Sequence, residues 1–183
     1  QLLKIGNKHK FVKIINLSRN FGQHIAISAG YKESSGKYIG MLNADMQEHP
    51  SEILKFIDRL DEGGIDIVYG LRDSRKGRVS ERISSFVFNI LMNILTGFKT
   101  PTNIATIRFM TKRFVSAYND FSEKNRYLPG LENWLGFNKS FVKISHGSRL
   151  RGKSSYNFRS RFEMALNSIL SFSSLPLKFI IVI

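Results

Sequence analysis

The chain has 183 residues, enough for about one domain with a single hydrophobic core. Hydrophobic residues make up 42% and charged residues 23% of it, which is typical of a folded domain and argues against disorder. It contains no cysteine, so disulfides, thiolate zinc sites and cysteine nucleophiles are excluded, while the net charge of +14 predicts an anionic partner such as nucleic acid, anionic lipid or a phosphate-rich substrate.

Strand and helix patterns alternate through the first part of the chain. Apolar, β-branched runs predict strands at residues 11–17, 38–42 and 65–69, and helical spacing predicts helices at residues 22–33 and 51–60. Pro50 is suited to the start of the second of these helices, and Gly63-Gly64 to its end. This alternation is typical of an α/β sheet with parallel neighbours.

The later part of the chain is more basic and more apolar. After a basic loop at residues 71–81, helices are predicted at 83–95, 111–121 and 162–172, and a strand at 103–110. Residues 175–183 form an apolar run that is too short to cross a bilayer by itself. It is either a buried strand or the first half of a transmembrane helix in a longer protein.

Oxygen-bearing side chains follow the strand predicted at residues 38–42. Asn43 and Asp45 stand two apart at its carboxyl end, where open α/β sheets bind ligands. Together with Gln47 they offer the oxygen atoms that Mg²⁺ or Mn²⁺ prefers, so they are candidate metal ligands. The alternative is a strand-end turn in which Asn43 and Asp45 satisfy only local backbone groups.

Two arginines near the next strand favour the metal site. Arg72 follows the strand predicted at residues 65–69 and is expected to face the same crevice as Asp45. Its guanidinium can bind phosphate oxygens in pairs, although a surface position would leave it with no such role. Arg82, at the start of the following helix, adds a second positive charge.

Five short segments, spread along nearly the whole chain, form an ordered set of motifs. They are residues 17–22 (Leu-Ser-Arg-Asn-Phe-Gly), 43–50 (Asn-Ala-Asp-Met-Gln-Glu-His-Pro), 68–72 (Val-Tyr-Gly-Leu-Arg), 149–156 (Arg-Leu-Arg-Gly-Lys-Ser-Ser-Tyr) and 171–177 (Ser-Phe-Ser-Ser-Leu-Pro-Leu). In this order they resemble the motifs of family-2 glycosyltransferases that load a sugar onto a polyprenyl phosphate, such as dolichol-phosphate mannose synthases and bactoprenol glucosyltransferases. Chance does not readily produce five such segments in order.

The resemblance implies a fold and a location. Residues 1–160 would form an incomplete GT-A-type, Rossmann-like, mostly parallel sheet flanked by helices. Residues 161–183 would be an amphipathic juxtamembrane helix and the start of a transmembrane segment at the cytoplasmic face of the cell membrane, with the basic loops on anionic lipid. The family's opening strand and Asp-rich nucleotide loop have no counterpart before Phe11. The chain is therefore expected to be a fragment that binds a sugar nucleotide poorly.

The resemblance also implies the reaction and its residues. A nucleotide sugar would be the donor and a polyprenyl phosphate the acceptor, with Asn43, Asp45 and Gln47 holding Mg²⁺ or Mn²⁺. Substrate contacts would come from Arg72, Arg82, Arg108, Arg149, Ser154 and Tyr156. Thr106 stands where the family has a carboxylate base, and a hydroxyl is a poor base near neutral pH. An ionised phosphate acceptor needs no base, so an inverting, metal-assisted transfer is predicted.

Other functions are compatible with part of the sequence. Asn43 and Thr106 are also what a decayed site would contain, which would make the chain a membrane-bound binding subunit. A glycan of the cell envelope is an alternative acceptor, and homo-oligomerisation stays open. The charge alone suggests a nucleic-acid binder, but the aromatic residues lie mostly in apolar helices rather than among the basic residues, so no nucleic-acid partner is expected.

Overall fold

The computed structural model describes residues 2–45, 47–72, 101, 103–123, 127–145 and 147. Within these ranges it has four strands: β1 (Tyr38–Met41), β2 (Ile67–Arg72), β3 (Ile104–Thr111) and β4 (Lys139–Ile144). The α-helices of the same ranges are α1 (Leu2–Lys8), α2 (Gln23–Lys32), α3 (Ile53–Asp61), α4 (Lys112–Asn119) and α5 (Leu128–Trp134). A 3-10 turn at Pro50–Glu52 leads into α3.

The strands form one mixed sheet in the order β1-β3-β2-β4. β3 runs antiparallel to both β1 and β2, whereas β2 and β4 are parallel. The expectation of a mostly parallel sheet was therefore wrong, because β3 is inserted in the opposite direction between β1 and β2. A buried apolar run carries no signal of its direction. β1, β2 and β4 still run the same way, so their carboxyl ends meet at one edge.

Helices cover both faces of the sheet. On one face α2, α4 and α5 contribute Tyr31, Phe114 and Leu131 to a cluster with Ile67 and Met110 of the strands. On the other face Phe56 and Leu60 of α3 pack on Val68, Ile107 and Phe109. The side chains of β3 alternate between these two clusters, as those of a strand covered on both faces must. The result is a three-layer α/β/α arrangement.

Local patterning located most of these elements. The strands predicted at residues 38–42, 65–69 and 103–110 and the helices predicted at 22–33, 51–60 and 111–121 are confirmed, with ends shifted by a few residues. The segment at residues 17–22 is the turn that begins α2, where the Asn20 side chain accepts a hydrogen bond from the Gly22 backbone at 2.9 Å. Gly22 has a φ of 87°, which favours glycine.

The strand predicted at residues 11–17 is wrong. These residues form no strand, and Phe11 is 86% exposed. A β-branched run becomes a strand only where a neighbour takes up its backbone hydrogen bonds, and β1 pairs with β3 alone in the described sheet. The helices predicted at 83–95 and 162–172 and the apolar run at 175–183 lie outside the described residues. In the part of the chain that is described, no helix has the length and apolar character to cross a membrane.

Replacing Gly40 by alanine is expected to destabilise the sheet by about 1–3 kcal/mol. A Cβ atom at Gly40 would overlap the ring of Phe109, which is packed against Phe56. Gly30, within α2, is a matched control because no atom lies within 4 Å of the same addition. Gly30→Ala is expected to stabilise by about 0.5–1 kcal/mol. Urea unfolding of both variants measures the difference, and equal effects would contradict the steric argument.

Candidate functional site

The loop after β1 is fixed to the segment after β4. Asn43, Asp45 and Gln47 are all half-buried there. The Gln47 backbone donates to Asp45 Oδ1 at 3.3 Å, and its side chain donates to the Gly147 carbonyl at 3.5 Å. The Gly147 backbone in turn donates to the Gln47 carbonyl at 2.9 Å. The three predicted metal ligands therefore occupy an anchored loop at the carboxyl edge of the sheet.

Arg72 ends β2 at the same edge. Its backbone donates to the Asn103 carbonyl at 3.1 Å, and its own carbonyl accepts from the Asn103 side chain at 3.0 Å. These two bonds fix the end of β2 to the start of β3. The side chain of Arg72 is half-buried, so it does not extend freely into solvent. Arg72 thus lies at the end of β2, as predicted, and its orientation toward the same crevice as Asp45 stays a prediction.

Glu48 lies between the Asp45 loop and Arg72 in its electrostatic interactions, and sequence reasoning assigned it no role. The residue is only 4% exposed. Burial raises the pKa of its carboxyl, the charge of Asp45 raises it further, and the charge of Arg72 lowers it. The Glu48 carboxylate thus lies within electrostatic reach of both Asp45 and Arg72. Its position directly after Gln47 in the motif is the sequence feature that could have identified Glu48 as a site residue.

The donor set of this loop suits a hard divalent cation. Asn43 and Gln47 carry amide oxygens, and Asp45 and Glu48 carry carboxylates, the ligand chemistry of Mg²⁺ or Mn²⁺. The repulsion between the two carboxylates is what a bound cation would relieve. Among the described residues, no three histidine, cysteine or acidic side chains cluster.

Thr106 and Arg108 belong to a different cluster, on the face covered by α5. They line a cavity of about 250 Å³ together with Tyr69 and Glu132. Arg108 Nη1 donates to Glu132 Oε2 at 2.5 Å, and the Tyr69 hydroxyl donates to the same oxygen at 3.0 Å. Arg108 Nε also donates to the Thr106 carbonyl at 3.1 Å. The predicted substrate contact Arg108 is thus a buried ion-pair partner of Glu132.

The backbone of β3 bulges at Thr106. Tyr69 of β2 is opposite Arg108 and Leu71 is opposite Ile104, so the single residue Gly70 faces three residues of β3. Bulges of this kind re-aim side chains and are frequent beside functional sites. Thr106 lines the cavity beside α5, on the same side of β3 as Arg108, as the regular alternation of the strand requires. Its role at the usual base position stays a prediction.

The acidic residue in this cluster was missed because it lies in a segment without a recognised motif. Glu132 is fully buried, and burial raises the pKa of its carboxyl against the opposing effects of Arg108 and Tyr69. Burial likewise raises the pKa of Tyr69 well above its usual range. The only feature of the sequence that could have indicated the Arg108–Glu132 ion pair was an acidic residue within the apolar helix α5. Arg82, Arg149, Ser154 and Tyr156 lie outside the described residues.

Acidification is expected to weaken the fold through His24. Burial lowers the pKa of this imidazole, as does the charge of Arg108, and its ring stands edge-on to Tyr127 with centroids 5.7 Å apart. The folded protein therefore favours neutral His24, and this stability is lost as pH falls from the unfolded pKa of about 6.5 through the lower folded value. The urea midpoint of wild type is expected to fall relative to that of His24→Gln as pH falls through this window. Parallel curves would contradict the assignment.

The family profile and the relatives found by comparison with known proteins are all glycosyltransferases. The profile of "Glycosyl transferase family 2" matches residues 1–118. An uncharacterized glycosyltransferase of Synechocystis sp. is 35% identical over 179 residues, which are 97% of this chain and 56% of that protein. An undecaprenyl-phosphate 4-deoxy-4-formamido-L-arabinose transferase of Pseudomonas paraeruginosa is 28% identical, over 91% of this chain and 49% of that protein. The chain thus spans about half the length of the curated relatives it matches.

Solved structures agree on the fold. The crystal structure of glucosyl-3-phosphoglycerate synthase from Mycobacterium tuberculosis, in complex with Mn²⁺, UDP and glucosyl-3-phosphoglycerate, has a TM-score of 0.53 with 14% identity. The match covers 92% of this chain and 59% of that one. At this identity the likeness establishes the fold alone, whereas the profile match and the curated relatives establish descent. The chain, with its Asp45 loop at the strand edge, belongs to glycosyl transferase family 2.

Proposed function

We propose that this chain is part of an enzyme that transfers a sugar from a nucleotide sugar to a polyprenyl phosphate of the undecaprenyl type. The observation that carries the proposal is the meeting of the Asp45 loop, Glu48 and Arg72 at the edge where β1, β2 and β4 end. Ligands of open α/β sheets bind at such edges. Curated relatives named for transfer to undecaprenyl phosphate supply the acceptor class.

The residues at this edge would have separate roles in the reaction. Asn43, Asp45 and Gln47 would hold Mg²⁺ or Mn²⁺, which when bound neutralises the charge of a leaving diphosphate. Arg72, whose charge lowers the pKa of the Glu48 carboxyl, would contact phosphate oxygens at this edge. The acceptor phosphate attacks the anomeric carbon from the face opposite the leaving group, which inverts its configuration. That phosphate is already ionised, so Thr106 is not required as a base.

The remaining parts of the proposal concern the membrane. The net charge of +14 suits an anionic inner leaflet, and Arg82, Arg149, Ser154 and Tyr156 would contact the acceptor phosphate or the donor there. Residues 161–183 would attach this assembly to the bilayer as an amphipathic helix and the start of a membrane segment. These roles rest on the motif resemblance and on charge.

Transfer by the full-length protein tests the function. Radiolabelled nucleotide sugars are supplied with undecaprenyl phosphate in anionic vesicles, with Mn²⁺ or with a chelator. Label is expected in the lipid fraction with Mn²⁺ and not with the chelator. Label in a water-soluble glycan would contradict the lipid acceptor, and equal transfer with the chelator would contradict the metal. Binding of the vesicles without transfer of any sugar would contradict the enzyme itself.

A further inference from the structure

Gly147 meets the Asp45 loop from a distant part of the chain. It follows the end of β4 at Ile144, and 100 residues separate it from Gln47. Its backbone amide donates to the Gln47 carbonyl at 2.9 Å, and its carbonyl accepts from Gln47 Nε2 at 3.5 Å. A single residue after β4 therefore contacts both the backbone and the side chain of a candidate metal ligand. The proposed transfer gives Gly147 no role.

The contact with the Gly147 carbonyl orients the side-chain amide of Gln47. A carbonyl oxygen can only accept, so the NH₂ end of the amide points at Gly147 and Oε1 points away from it. Oε1 is the atom of this side chain that suits a hard cation. The Gln47 backbone also donates to Asp45 Oδ1 at 3.3 Å, which ties the same residue to the carboxylate of the loop. The contacts of Gln47 thus hold its ligand atom on the side away from Gly147.

Cation binding and the contact with Gly147 are expected to strengthen each other. When Oε1 coordinates a cation, the amide loses electron density and its Nε2–H becomes a stronger donor. The Nε2 to Gly147 distance of 3.5 Å exceeds the usual range of about 2.7–3.2 Å, so this bond can shorten. Coupling of this kind is reciprocal, so the contact favours cation binding by the same free energy. Groups that orient metal ligands commonly change metal affinity by about 10–100-fold.

We propose that Gly147 is a positioning residue of the cation site. Its backbone holds Gln47 so that Oε1 joins Asp45 in binding a divalent cation, while Gly147 itself is not a ligand. The inference rests on the proposed function for the location of that cation.

Two substitutions at Gly147 separate the hydrogen bond from the added side chain. A Cβ atom at Gly147 would lie 3.6 Å from the Gln47 carbonyl oxygen, which is an ordinary van der Waals contact. Alanine therefore fits at this position and keeps the backbone N–H. Proline has no backbone N–H and cannot donate to Gln47. Gly147→Ala is thus the matched control for Gly147→Pro.

Mn²⁺ binding to the metal-stripped full-length protein tests the proposal without donor or acceptor. The electron paramagnetic resonance of free Mn²⁺ measures the Kd. Gly147→Pro is expected to raise this Kd at least about 10-fold. Gly147→Ala is expected to stay within about twofold of wild type. Equal affinities of wild type and Gly147→Pro would overturn the proposal, as would a Gly147→Ala variant weakened as much as Gly147→Pro.

Hydrogen exchange of the wild-type protein is a second measurement that needs no substitution at Gly147. Because the coupling is reciprocal, saturating Mg²⁺ is expected to slow exchange of the Gly147 amide by about 10-fold. Mass spectrometry of the peptide that contains Gly147 records the change. Exchange that is the same with and without Mg²⁺ would overturn the proposal even if Gly147→Pro failed to fold.

Asp45→Asn distinguishes a failure of this inference from a failure of the proposed function. If Mn²⁺ affinity falls in Asp45→Asn but not in Gly147→Pro, the cation site stands and Gly147 has no part in it. If Asp45→Asn keeps the wild-type affinity, the cation does not bind at the Asp45 loop. The metal role in the proposed function then fails together with the role of Gly147.

Discussion

Replacing Asp45 by asparagine is expected to lower sugar transfer by the full-length protein at least about 100-fold, or about 2.7 kcal/mol in the barrier. Asparagine keeps the size of the side chain and its hydrogen bond from the Gln47 backbone. It removes a negative charge from a loop in which Asn43 and Gln47 are neutral. The remaining oxygens would then hold a divalent cation too weakly to assist the leaving diphosphate.

The loss should appear first in the dependence on Mn²⁺. The concentration that gives half of the maximal rate is expected to rise in Asp45→Asn and to stay unchanged in Asp58→Asn, an exposed carboxylate on α3. Glu48→Gln is expected to lower transfer by about 10-fold, as changes next to metal ligands commonly do. An unchanged Mn²⁺ requirement in Asp45→Asn, or an equal shift in Asp58→Asn, would show that the Asp45 loop does not bind the metal.

Replacing Arg108 by methionine is expected to destabilise the fold by about 3–5 kcal/mol. Glu132 is 0% exposed, and Arg108 is its guanidinium partner. Removing the guanidinium leaves a buried carboxylate that only the Tyr69 hydroxyl contacts among the described hydrogen-bond donors. The free energy of unfolding, measured in urea, reports the cost if the dependence on denaturant is unchanged between variants.

A double variant separates charge from packing. Arg108→Met with Glu132→Leu removes both charges at similar volume and is expected to recover most of the lost stability, because apolar replacements of whole buried pairs are often neutral. Tyr69→Phe alone is expected to cost only about 1 kcal/mol, the usual contribution of one hydrogen bond. If the double variant were as unstable as Arg108→Met, the cost would come from a packing defect and not from an unpaired charge.

Local signals were enough to locate most of the elements and to propose the Asp45 loop as a metal site. The periodicity of apolar residues located β1, β2 and β3 and the helices that follow them, since each pattern is contained in a short window. The oxygen donors after β1 could be proposed for the same reason, because Asn43, Asp45 and Gln47 are neighbours in sequence. Patterning failed at residues 11–17, where the run of β-branched residues has no described strand to pair with.

Contacts between residues that are far apart along the chain could not be predicted from the sequence. Arg108 and Glu132 are 24 residues apart, and Tyr69 and Glu132 are 63 apart. The pairing of Tyr69 with Arg108 across β2 and β3 and the position of α5 over the sheet bring them together, and neither is encoded in a local pattern. The same is true of Glu48, whose proximity to Arg72 depends on the parallel course of β1 and β2.

Sequence alone therefore determined the family and the chemical character of the Asp45 loop, because motifs and oxygen donors are properties of consecutive residues. Tertiary structure decided the direction of β3, the approach of Glu48 to Asp45 and Arg72, and the burial of Arg108 with Glu132. Charge and burial depend on what surrounds a side chain in three dimensions. A substrate contact predicted from a motif, Arg108, became a buried ion-pair partner for that reason.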